Sequence, residues 1–165
     1  MGRVVAAALG ASLLVLTARP FAAAAAEARW SQNGLETESR SVPYVVEPLT
    51  PDAKRIGLTD AQVGSEVELR LVAARLIPGN PRVSADYFLY VRVLVVREAF
   101  SCELQFRRGV EFVTARNTRY ALTGARTWDR LVVGTHGGRG EHVVGVLDEL
   151  LDQFLTDYLK ANPRR

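Results

Sequence analysis

The chain has 165 residues, 21 basic and 18 acidic side chains, a formal charge of +3 and a single cysteine. That length suits one domain around one core, and so even a charge balance argues against the strongly basic surface by which nucleic-acid binders are recognised. One thiol excludes an internal disulfide.

Met1 to Arg3 form a short positive start, Val4 to Ala18 an uncharged apolar stretch, and "RPFAAAAAEA" a small-residue tail with Ala-x-Ala sites. That order predicts a cleavable secretory signal peptide over residues 1–26, with cleavage after Ala26 or Ala28 and a periplasmic or secreted product. Arg19-Pro20 interrupts the apolar run before the length of a bilayer span, so no permanent span is expected once the leader is removed. No cysteine stands near the cleavage region to carry a lipid. Arg3 and Arg19 belong to the leader, which leaves the mature chain at a balance of +1.

Residues 27–57 are polar and contain Pro43, Pro48 and Pro51. They read as an extended lead-in with one short strand, "SVPYVVE", which Pro43 assigns to an edge or a strand start because it has no ladder donor. Residues 58–162 form the single domain. Within "LTDAQVGSEVELRLVAARLIPGNP", Thr59 and Gln62 have capping-box spacing. Val63, Val67, Leu71 and Ala74 repeat at helical intervals, Glu66 and Arg70 pair four apart, and Pro78-Gly79-Asn80-Pro81 is expected to stop the helix.

"DYFLYVRVLVV" then predicts a strand. Its core face carries Tyr87, Leu89, Val91, Val93 and Val95, and its other face Phe88, Tyr90, Arg92, Leu94 and Val96. "FSCELQF" alternates, placing Cys102 in a buried row between Phe100 and Leu104. Arg107-Arg108-Gly109 predicts a bulge. "NTRYALTGA" reads as a loop with a brief extended piece at most, "RTWDRLVVGT" as a further strand, and Val143, Leu147, Leu150, Leu151, Phe154 and Tyr158 as the buried stripe of a last helix that ends at Asn162-Pro163. Consecutive strands flanked by helices predict an α+β fold: one antiparallel or mixed sheet of about 4–5 strands with two helices packed on one face.

Three places attract a functional reading. "GTHGGRGEH" holds both histidines of the chain. Gly137, Gly138 and Gly140 leave backbone donors uncovered just before a helix start, with Arg139 among them, which would suit a phosphate, sulfate or carboxylate. The pattern matches neither the dinucleotide fingerprint nor the phosphate-binding loop. A metal bound by His136, Glu141 and His142 would need ligands spaced differently from a helical zinc pair, so neither a metal nor any other cofactor is expected. No nucleophile-elbow motif accompanies His136, Asp129 and the candidate serines Ser84 and Ser101, and no catalytic residue is assigned.

The second place is the run from Arg107 to Arg139, whose seven arginines could meet an anionic partner or serve only as a solvated face. The third is the outer row Phe88, Tyr90, Leu94 and Val96, which an isolated sheet would expose as an association patch. Either the lead-in covers it with Trp30 and Tyr44, or a second chain does, a protein partner of the cell envelope or a homodimer mate.

With the "LTDAQVGSEVELRLVAARL" helix, the hairpin and the "VVGVLDELLDQFLTDYLKAN" helix in order, residues 40–160 resemble the small exported α+β domains of bacterial envelope accessory proteins, of which the TolB amino-terminal type is one. The resemblance is one of element order, without a shared diagnostic motif. It implies protein–protein contact in the envelope and transfers no residue roles. The expected function is thus a non-enzymatic interaction or envelope-assembly module, with a small-ligand or metal-dependent enzyme site at residues 134–142 as the alternative.

Overall fold

A computed structural model describes residues 34–79 and 86–163. The leader, Trp30, Ser84 and the Asn80-Pro81 stop signal lie outside these residues. Among the described residues five strands form one mixed sheet: β1 (Ser41–Val46), β2 (Ile77–Gly79), β3 (Tyr87–Val96), β4 (Ala99–Val113) and β5 (Arg119–Thr135), in the order β2-β1-β3-β4-β5. Three helices of the same residues complete the α+β fold, α1 (Pro51–Arg55), α2 (Asp60–Ala73) and α3 (Gly140–Ala161). Among the described residues no helix is long and apolar enough to cross a membrane.

The expected antiparallel portion is β3-β4-β5. The remainder is parallel, β1 lying between β2 and β3. Pro43 therefore sits in an interior strand, at a point where its missing donor does little harm. β1 pairs with β2 over Ser41–Pro43 and with β3 only from Tyr44 onward, so Pro43 stands at the handover between the two ladders.

The segment before residue 58, read as extended, also contains α1. Thr50 caps it by accepting from the Ala53 amide, Pro51 occupies the first turn where no amide is needed, and the Thr50 hydroxyl donates to the Val95 carbonyl at 3.0 Å. Helix α2 begins as its capping residue requires, with Thr59 Oγ accepting from Gln62 N at 3.1 Å. It ends before the prolines. Ala74 caps it, Arg75 turns left-handed at φ 61°, and Leu76 N donates back to Leu71 O at 2.9 Å. This frees Ile77–Gly79 to pair with β1.

Val63, Val67 and Leu71 of α2 and the predicted stripe of α3 bury against the inner sheet face. On the sheet side lie Leu89, Val91, Val93, Val95, Phe100, Cys102, Leu104 and Phe106. Burial contributes roughly 1.5–3 kcal/mol per large apolar side chain, which outweighs any local propensity in setting the helices' orientation. Phe154 stacks on Phe106 at 5.9 Å and meets Trp128 edge-on at 5.3 Å. The helices are also joined at their surface, where Arg70 bonds Glu66 of its own helix and Asp148 and Asp152 of α3 at 2.9–3.1 Å.

The predicted bulge is present as two register shifts, between Phe106 and Arg107 and between Arg108 and Val110. Beyond it the expected loop is instead paired strand: Val110 to Val113 bond Leu122 to Arg119, and the two strands run out as a ribbon whose turn has Asn117 at φ 59°. The lead-in closes the other end of the domain. Asn162 accepts from Thr37 N at 2.8 Å and donates to Leu35 O at 2.9 Å, with Leu35 buried beneath.

Candidate functional site

The glycine-rich segment connects β5 to α3 at the end of the sheet where β3 turns into β4. That turn is two residues, Arg97 and Glu98, with Arg97 at φ 55°. His136 is buried against it. Its amide donates to Glu98 O at 3.1 Å, its Nε2 lies 2.6 Å from Arg97 O, and its Nδ1 accepts from Gly138 N at 2.9 Å. With Nδ1 accepting, the ring proton is on Nε2 and donates to the carbonyl.

Each neighbouring glycine has a steric role. Gly137 and Gly138 adopt φ 55° and 76°, and a Cβ on Gly140 would stand 2.7 Å from Ile56 O. Asp52 of α1 completes the junction by accepting from Arg97 N at 2.9 Å, and that bond, foremost among its causes, holds its carboxyl below the usual carboxylate range. α1, the β3–β4 turn and the β5–α3 connection are thereby tied together.

Of the glycine amides expected to be open to an anion, that of Gly138 bonds His136 Nδ1, and the intervening Arg139 N bonds His136 O at 3.0 Å. Both nitrogens of His136 are engaged within the fold, while exposed His142 sets its ring edge-on to Phe100 at 5.7 Å. Glu141 is exposed in the first turn of α3. No three potential metal ligands gather among the described residues. Ser101 lies on the outer sheet face opposite Leu94 and Val133, and Asp129 is paired with Arg126 at 3.8 Å, so neither is drawn into a relay with His136. Burial in the core row pushes the Cys102 thiol up to about 12, which suits an inert residue.

The arginines are largely consumed at the surface. Arg107 lies over the Tyr90 ring at 4.2 Å and donates to Gln105, Arg108 donates to Glu36 O, Arg126 faces Glu103 and Asp129, and Arg130 pairs with Asp157 while covering Trp128.

On the outer face, register assembles what the strand sequences separate. Its middle is polar: Tyr90 donates to Glu47, Arg92 pairs with Glu47 at 3.4 Å, and Glu103, Gln105 and Arg107 of β4 lie alongside. Tyr90 and Phe88 are half-buried in this carpet. Tyr44 is not part of it, since its hydroxyl donates to Glu68 of α2 on the helix side. The corner beside the β3–β4 turn stays apolar. There Leu94 and Val96 of β3 share the face with Leu131 and Val133 of β5, and Val96, Leu131 and Val133 are 53%, 56% and 69% exposed. The two β5 members were visible as an uncharged "LVV" in sequence, but nothing local linked them to β3.

No protein-family model, no curated protein and no solved structure matches the chain.

Proposed function

We propose that the protein is a non-enzymatic interaction or assembly module of the cell envelope, exported by its leader and acting in the periplasm or outside the cell. The observation that carries this reading is the apolar corner of Leu94, Val96, Leu131 and Val133, aliphatic surface left in water beside the paired charges in the middle of the same face. Exposed aliphatic surface grouped in one place and rimmed by polar side chains is the usual mark of a protein contact. The element order resembling the TolB amino-terminal type and the signal-like residues 1–26 support the same compartment and class of role.

Two measurements test it. Mass spectrometry of the protein recovered from its producing cell should give a chain beginning at residue 27 or 29 in the periplasmic or culture fraction; a full-length cytoplasmic chain would remove the envelope from the reading. A photo-crosslinker at Val96 should capture a discrete envelope protein, and the Leu131→Ser, Val133→Ser double variant should lose it. Equal capture by both forms would detach the corner from function.

A further inference from the structure

Among the described residues β5 is the last strand of the sheet, and its far edge is only partly covered. The lead-in crosses it at one point, where Thr127 Oγ1 donates to Gly34 O at 2.7 Å. From Asp129 to Thr135 no strand among the described residues pairs with that edge. Proteins protect such edges with lysines, prolines, bulges or a covering segment. Among the described residues Leu131 to Thr135 has none of these, and Leu131, Val132 and Val133 are 56%, 36% and 69% exposed.

We propose that this edge pairs antiparallel with the same edge of a second copy, about a twofold axis at Val132, joining two five-stranded sheets into one. The register follows from the side chains. A twofold axis normal to the sheet keeps each face on its own side, so it must pass through a residue and not between two. Centring at Asp129 or Arg130 sets like charges directly opposite, which is destabilising. Centring at Leu131 sets Asp129 against Val133 and Arg130 against Val132, and centring at Val133 shortens the ladder. Centring at Val132 pairs Leu131 with Val133 in both directions and puts Arg130 opposite Gly134, which has no side chain to crowd it, and Asp129 opposite Thr135. It is the register in which seven residues pair without a charge against an aliphatic. Two apolar corners then lie side by side on the outer face, so the inference extends the interaction reading by making the module two-sided.

The register makes the test specific. Val132→Cys places two thiols opposite each other across the axis, at the roughly 4.5–5.5 Å Cα separation of directly paired residues, which a disulfide spans. Cys102 is buried and does not compete. Under mild oxidation the mature Val132→Cys protein should form a covalent dimer, whereas Thr135→Cys, opposite Asp129, should not. Sedimentation equilibrium of the unmodified mature chain should give a dimer, and Val132→Asp, checked for folding by circular dichroism, should weaken association by about tenfold or more. A monomer at high micromolar concentration, equal crosslinking at positions 132 and 135, or a dimer indifferent to Val132→Asp would each overturn the pairing. Capture by the Val96 crosslinker in the Val132→Asp protein is read separately, so loss of the dimer and loss of the envelope partner are distinguishable.

Discussion

The two parts of the molecule that flank the end of β5 are opposites. The His136–Gly140 connection carries residues that chemistry favours, and it turns two of them inward: both His136 ring nitrogens are engaged and Gly140 is packed under the Ile56 carbonyl, while Arg139 is exposed. The adjoining edge and corner carry plain aliphatics and leave them outside. Residue type alone therefore does not show which capacity the fold has already used. What distinguishes them is whether hydrogen-bonding and apolar capacity has already been used within the fold.

Substitutions should separate the regions by stability. Gly140→Val is expected to have the largest effect, about 3 kcal/mol, because the new side chain meets backbone that cannot move aside. A lowering of the melting midpoint by roughly 10 °C would register it. His136→Ala should cost about 2 kcal/mol by leaving the Arg97 carbonyl and Gly138 amide without partners; a variant as stable as the parent in urea unfolding would mean that the connection is not held by its histidine. Gly138→Ala should cost about 1 kcal/mol through its positive φ. The Leu131→Ser, Val133→Ser pair should stay within about 0.5 kcal/mol in a monomeric background while removing captured partner.

The junction also has a pH signature. Asp52 has a folded-state pKa below its ordinary value, chiefly through the Arg97 amide, so its ionised form stabilises the fold above the ordinary carboxylate pKa of about 3.9, and that contribution disappears as pH falls through the lower folded value. Asp52→Asn should accordingly be less stable than the parent near neutrality, with the difference closing in acid below pH ~4. A gap constant across that range would mean that the carboxylate charge does not matter there.

Much of the fold was legible because its signals are local. Alternation in Tyr87–Val96, the Thr59 cap and the α3 stripe each state their element within a few residues. The misreadings share a cause in pairing. Arg119–Ala125 looks like loop until Val110–Val113 supplies its ladder, and Pro43 looks like an edge until β2 and β3 divide its strand. α1 was obscured within a polar, proline-containing lead-in, although Pro51 stands at the helix position that accepts one. At the candidate site, the sequence could show that the glycines make a turn, but it could not show that His136 folds back on residue 97. Nor could it align Leu131 and Val133 with Leu94, since register joins residues nearly forty positions apart.

The clasp of Asn162 on Leu35 and Thr37 has a consequence for how the chain matures. It joins segments more than 120 residues apart, and Tyr158 meets Thr37 in the same place. Contacts so distant in sequence cannot form until the last helix is available. A chain emerging amino terminus first would thus lack this clasp until its last helix has been made.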